Sequence, residues 1–296
     1  FRKLFAEAPT AAVKLRALCT LYAMDRTEPE FLRQQLHHEN EHVRAWAVRL
    51  LTDHWPLDGP LGPVPQPEET AQRVAHEAEL LLPLLCEMGK SDDSSLVRLT
   101  LASTLQRLPP GLRARLALEL VAHPEDAEDH NLPLMVWYGL IAAAEVDPSG
   151  LVDVAAACRW PTTRRLIARR LAEGVEANPG PLAQLIGLAA EANRAELRAD
   201  LLSGMGEALR GWRKAPEPAD WPALAARTEK EGGEAERRLV RELSVLFGDG
   251  RAVAELRAIA LDTQAALAAR EAALETLIAA RDVELRPICE QLMRES

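Results

Sequence analysis

The chain has 296 residues, 48% of them hydrophobic but only 4% aromatic, and its apolar content, mostly Ala and Leu, points to many slim, closely packed helices and away from a β-rich core. A net charge of −10 opposes the long-range attraction to phosphate backbones that nucleic-acid binding requires, so nucleic acid is not an expected partner. No apolar run reaches the roughly 18–20 residues needed for a membrane-spanning helix, so direct membrane insertion is not expected either.

Taken in chain order, short amphipathic helical patterns recur in pairs. Helices are predicted over 10–24, 28–37 and 41–53. In the third, Val43, Ala47, Leu50 and Leu51 fall at i, i+4, i+7 and i+8, one apolar stripe facing a neighbour. The segment 55–70 carries Pro56, Pro60, Pro63, Pro65 and Pro67; proline removes amide donors and favours extended backbone, so this insert reads as a loop. A long helix is predicted over 69–87. The stripe returns over 96–108 with Val97, Leu101 and Leu105, and over 268–278 with Ala269, Ala273 and Leu277. Further second helices are predicted to begin near Pro133, Pro161, Ala195, Glu234 and Ala265. The proline-containing 213–222 reads as a long turn or a boundary between sub-arrays.

The period follows from the arginine after the first apolar residue of the second helix. Arg44 and Arg98 are 54 residues apart, and removing the roughly 12-residue insert leaves about 42, within the range of two-helix HEAT units. The expected fold is all-α, a right-handed α-solenoid of about seven to eight HEAT-like helix pairs filling 1–296 as a single array. Only five of the 35 basic residues are lysines, so the cations are mainly guanidinium groups suited to bidentate pairing with carboxylates. Cys19, Cys86, Cys158 and Cys289 stand far apart with no C-x-x-C among them; each reads as a small apolar residue in a helix interface. The chain opens at Phe1 inside a helical pattern and shows no signal-peptide pattern, and it is expected to be an excerpt whose targeting segment lies elsewhere.

One string conflicts with the repeat reading. His38, Glu39 and His42 spell H-E-x-x-H, whose zinc chemistry needs both histidines on one continuous helix. Here Asn40 is a good N-cap and Glu41 a good first-turn residue, so a helix break is predicted inside the string. No convincing third ligand follows, although His54, Glu68 and Glu69 are available. A zinc metalloprotease is the weakest of the enzymatic readings, and no metal site or catalytic residue is assigned.

The polar turn HENE before Val43 and Arg44, and the similar SDDSSLVRLTLASTL at 91–105, resemble HEAT repeats. That resemblance implies an arginine that pairs with a carboxylate of a neighbouring repeat. Read in order, the segments 15–24, 38–53, 94–109 and 125–140 resemble the helical-repeat region of large secreted, haem-binding proteins of the Planctomycetes and Verrucomicrobia that carry the label membrane-bound dehydrogenase. The last segment, with Asp129, His130, Asn131, Leu132, Pro133 and the Trp137, Tyr138, Gly139 triplet, is the most distinctive. The resemblance covers the first half of the chain and extends to the second by continuity of the repeat. In that family a propeller precedes the repeats and a c-type cytochrome module follows them. No C-x-x-C-H stands in this sequence, so no cofactor is expected in this chain, and any haem c that the resemblance implies would lie in the parent protein. The resemblance implies an exported, periplasmic or cell-surface setting, and partners that are proteins or neighbouring domains of the same polypeptide.

Two candidate binding surfaces stand out. His130, Asn131, Trp137 and Tyr138 combine hydrogen-bonding groups with flat apolar faces, the mix a ligand or peptide pocket uses. The simpler account has 129–131 capping the helix at Pro133 while Trp137 and Tyr138 fill a gap between repeats. Arg159, Arg164, Arg165, Arg169 and Arg170 crowd one short helix and suit a sulfated or carboxylated ligand or an acidic partner. Their simpler role is a solvated face paired with Glu173 and Glu176. The function expected is a non-catalytic scaffold or interaction module. The alternative is a HEAT-like enzyme or ligand-binding solenoid resembling DNA glycosylases or bilin lyases.

Overall fold

A computed structural model describes residues 1–59, 62–248 and 250–295, and among these the chain is all-helical, with no strand. The helices are α1 (Arg2–Glu7), α2 (Ala11–Ala23), α3 (Pro29–Gln35), α4 (Glu41–Thr52), α5 (Glu68–Ser91), α6 (Ser95–Thr104), α7 (Arg113–Leu120), α8 (Leu132–Leu140), α9 (Ala143–Val146), α10 (Pro148–Ala157), α11 (Pro161–Glu173), α12 (Pro179–Ala190), α13 (Ala195–Ala208), α14 (Trp221–Glu231), α15 (Glu234–Leu246), α16 (Gly250–Leu261), α17 (Leu267–Ala279) and α18 (Leu285–Glu295). Several starts carry the chemistry the sequence advertises. Thr10, Asn40, Ser94 and Asp147 each accept a backbone N–H of their helix's first turn, satisfying donors that the helix cannot satisfy internally.

Two compact units divide the chain, 1–163 and 164–296, so the loop 213–222 lies within the second. In the first unit, α2, α4, α6 and α8 pack in succession as one row, and α5, α7 and α10 form another. Every residue of the predicted stripes in α4 and α6 is buried: Val43, Ala47, Leu50 and Leu51, then Val97 and Leu101, with Leu105 in the 3-10 turn that follows. In the second unit α12 packs on α14 and α13 on α15, while α16 packs on α17 and α18. The predicted stripe of α17 needs correction. Ala273 and Leu277 are buried, but Ala269 is exposed, because the apolar contacts of this helix are made from its second turn onward with Ala252, Leu256 and Ala260.

Among the described residues the proline-rich insert forms no helix up to Pro67, as expected, but its last three residues, 68–70, open α5; Pro60 and Leu61 lie outside the described residues. It is anchored at its start. Arg113, 1% exposed, sends a bidentate pair to Asp58 at 2.6 and 2.9 Å and donates further bonds to the carbonyls of Leu108 and Gly139. Trp55, at the start of the insert, is buried, and its Nε1–H donates to Glu77 at 3.0 Å. Within 213–222, Ala215 is buried and its N–H donates to the Leu246 carbonyl at 3.0 Å, while α14 starts at Trp221. Gly139 and Gly204 are sites of close approach: a Cβ on Gly139 would collide with Leu105 of the α6 end, and one on Gly204 would collide with the α11 backbone at Arg165 and Arg169.

The cysteines form no disulfide. Cys158 is buried, and its sulfur accepts the Trp160 N–H at 3.3 Å. Cys19 and Cys86 are half-buried, and burial pushes both thiols up. Cys289 departs from the expectation of an interface residue, since it is exposed on α18.

Candidate functional site

The H-E-x-x-H string spans the turn between α3 and α4, as the capping signals predict. His38 lies in the turn and His42 in the first turn of α4, on opposite sides of the N-cap Asn40. The ring of His38 is occupied locally. Its Nδ1 accepts the Asn40 N–H at 2.9 Å, and its Nε2 faces Lys14 Nζ at 3.4 Å. Burial, then the Lys14 cation, push its pKa below the ordinary histidine value. A ring whose Nδ1 must remain an acceptor to hold the turn is not arranged to share a metal with His42. Among the described residues no group of three or more His, Cys, Asp or Glu is placed to hold a metal ion.

The same turn displays a different arrangement. Arg44 of α4 makes a bidentate pair with Asp92, Nε to Oδ2 and Nη2 to Oδ1, both 2.7 Å, and its Nη1 donates to the carbonyls of His38 and Glu39. Asp92 is the C-cap of α5, in the turn that leads to α6. Arg98 repeats the pattern one helix pair further on. Its Nε and Nη2 bind Asp126 at 2.5 and 2.8 Å, and its Nη1 donates to the Asp92 carbonyl at 2.8 Å. In both arginines the hydrogen-bonded carboxylate raises the pKa further, so each guanidinium stays charged, ties its own turn through a carbonyl, and reaches the next acidic turn through a carboxylate.

The second unit contains looser versions. Arg164 Nε lies 2.6 Å from Asp200 Oδ2, but without the alignment of a hydrogen bond, and burial holds the Asp200 carboxyl above its ordinary range despite the arginine. Arg198, 2% exposed, lies 3.5 Å from Glu231 at the end of α14. Arg257 makes a bidentate pair with Asp282 at 2.9 and 2.6 Å, and that bond holds the carboxyl below its usual range.

The arginine cluster of α11 therefore divides. Arg164 is not on a solvated face; it is 6% exposed and packed against α13. Arg165 and Arg169 are about half exposed, the first 3.6 Å from Glu207 and the second bonded to Glu173 at 3.1 Å. Arg170 also faces Glu173, at 3.6 Å.

Around α8 the cap is Asp129 itself. Its Oδ1 accepts the N–H groups of Asn131 and Leu132, both at 2.8 Å, and these bonds hold its pKa below the usual range. Asn131 makes no side-chain cap bond. His130, Asn131 and Tyr138 are exposed and Trp137 is half-buried, so Tyr138 does not fill a gap between helices; the close contact in this region is Gly139 against Leu105.

Two concavities of the first unit escape a reading by motif. A cavity of about 260 Å³ has an apolar floor of Leu32, Leu50, Leu51 and Leu81, with Glu77 at its edge. The Glu77 carboxylate faces His54 Nε2 at 2.7 Å and accepts from Trp55 Nε1 and Arg73 Nη1 at 3.0 and 3.1 Å; burial raises its pKa, but these partners outweigh it and the net shift is downward. A wider groove of about 510 Å³ runs along the α2, α4 and α6 row, lined by Tyr22, Trp46, Arg49, Asp53, Ser103 and Arg107. The only sequence signal for it is a tryptophan and an arginine on the polar side of α4, which stripe analysis sets aside.

No family model and no curated protein matches the chain.

Proposed function

We propose that this chain is a right-handed α-solenoid of HEAT-type helix pairs, acting as a non-catalytic interaction or spacing module of a larger exported protein. The observation that carries the reading is the arginine ladder. Arg44 and Arg98 each bond the turn before their own helix and the acidic turn of the following pair. Such a repeat unit buries its apolar stripe only against its neighbours, and a ladder adds a directional link at each step. The resemblance to the helical-repeat region of the haem-binding, membrane-bound-dehydrogenase-labelled proteins supplies the exported setting and the expectation of domain partners, with redox chemistry in the parent protein outside these residues.

Solution scattering tests the architecture. A stacked array gives a radius of gyration well above the roughly 19 Å of a compact chain of this length. A value near that compact figure, or turnover of a damaged DNA base, a bilin or a peptide by the isolated chain, would overturn the proposal.

A further inference from the structure

The groove on the α2, α4 and α6 row differs in charge from the unit around it. Residues 1–163 carry 15 lysines and arginines against 23 aspartates and glutamates, a net of −8. The most enclosed arginines of that unit are held by carboxylates, Arg44 by Asp92, Arg98 by Asp126 and Arg113 by Asp58, and Arg73 pairs with Glu77. Arg49 and Arg107, which both line the groove, have no such ion pair among the described residues.

Their orientation is set by other means. The Arg49 guanidinium lies 5.4 Å from the centroid of the Trp46 ring, and the residue is exposed. Arg107 Nη1 donates to the backbone carbonyls of Asp53 and Trp55 at 3.0 and 2.6 Å, which fixes the plane of the group while its remaining N–H donors have no carboxylate. The groove's own carboxylate, Asp53, accepts the Tyr22 hydroxyl at 3.3 Å. Thr100 and Thr104 donate their hydroxyls to carbonyls of their own helix, leaving Ser103 as the exposed hydroxyl. Two oriented guanidinium groups, a flat indole and a hydroxyl match a carboxylate flanked by an apolar side chain.

We infer that this groove is the docking site for an acidic, extended segment of a partner protein, with a carboxylate received by Arg49 and Arg107 and an apolar side chain laid against Trp46. The inference rests on the scaffold reading and names the chemistry of its partner.

The test is fluorescence anisotropy of the full chain with a labelled peptide alternating glutamate and leucine, beside matched peptides carrying glutamine or lysine in place of glutamate. The glutamate peptide is expected to bind at least about tenfold more tightly than the glutamine peptide, and to weaken as salt rises from about 50 to about 500 mM. Arg49→Glu is expected to reduce affinity about tenfold or more and Arg49→Lys far less. Equal binding of the glutamine peptide, preference for the lysine peptide, an undiminished Arg49→Glu variant, or no binding at millimolar peptide overturns the docking site. Should Arg49→Glu fail to fold, the peptide comparison and salt dependence on the unaltered chain decide. Failed binding by a chain with an extended scattering profile sinks this site alone; a compact profile sinks the scaffold reading.

Discussion

Replacing Arg98 by methionine probes the ladder most directly. The pair it forms with Asp126 is almost fully enclosed, with side chains 4% and 5% exposed. The substitution removes two bonds to Asp126 and one to the Asp92 carbonyl, leaving a buried carboxylate whose charge no longer has its guanidinium. Removing one partner of a buried pair costs about 3–5 kcal/mol, most of it the penalty of the charge left behind. For a domain of this size each kcal/mol lowers the melting midpoint by about 2–4 °C, so a drop of roughly 6–20 °C is expected by circular dichroism. Two controls separate the ladder from charge loss in general. Arg286→Met removes a guanidinium that is 88% exposed in its pair with Glu290, and it should leave the midpoint unchanged within error. The double variant Arg98→Met with Asp126→Leu exchanges the pair for apolar groups and should recover most of the loss. Because Asp92 binds Arg44 through its carboxylate and Arg98 through its carbonyl, Arg44→Met and Arg98→Met should couple by about 0.5–3 kcal/mol in a double-mutant cycle. An Arg98→Met midpoint matching that of Arg286→Met would refute the ladder as a structural link.

Three further outcomes follow from single sites. The folded-state pKa of His38 lies below its unfolded value, so the unfolded chain takes up the proton first; the stability His38 contributes is present above the unfolded pKa and falls as pH drops below about 6.5. Arg, Lys and carboxylate neighbours aside, His38→Asn keeps an acceptor for the Asn40 N–H, and its melting midpoint should decline less than that of the unaltered chain between pH 7.5 and 5.5; parallel declines would remove His38 as the cause. Gly139→Ala should destabilise by about 1–3 kcal/mol in urea titration, because its Cβ collides with Leu105, whereas Gly111→Ala, which meets nothing within 4 Å, should cost much less. Asp58→Ala leaves buried Arg113 without its carboxylate and should accelerate protease cleavage in the insert 55–67; unchanged cleavage would show that the anchor does not restrain the loop.

The all-helical class was readable because repetition amplifies weak signals. One stripe such as Val97, Leu101 and Leu105 fixes a helix face, and its recurrence fixes the class. A cap sharpened one boundary: Asn40 places the start of α4 at 41, where the structure has it, whereas without such a signal the helix predicted over 69–87 runs on to Ser91. The reading failed where periodicity was asked to decide exposure. Ala269 falls on the stripe of α17 by number yet faces solvent, since spacing names a face without saying how far along the helix a neighbour extends. The cap read over 129–131 is made by Asp129, whose carboxylate reaches the free amides through an Asx-type turn, while Asn131 makes no side-chain cap bond.

Charge was harder to read than hydrophobicity for a related reason. In the cluster over 159–170, sequence distance groups five arginines, but helix rotation distributes them: Arg164 turns inward to Asp200 while Arg169 turns along its own helix to Glu173. Conversely Arg49 and Arg107 are 58 residues apart in sequence and line one groove. An arginine's local density of like charges therefore says little about its availability. What decides it is whether the adjoining helix pair supplies a carboxylate at the same height along the row. At Arg44 and Arg98 it does, and the result is a structural link. Arg107 is instead bonded to the backbone carbonyls of Asp53 and Trp55, and Arg49 lies by the Trp46 ring, contacts that orient a guanidinium without neutralising it. The ladder and the groove are thus two outcomes of the same residue type on the same row of helices, separated by what the neighbouring helix pair presents to them.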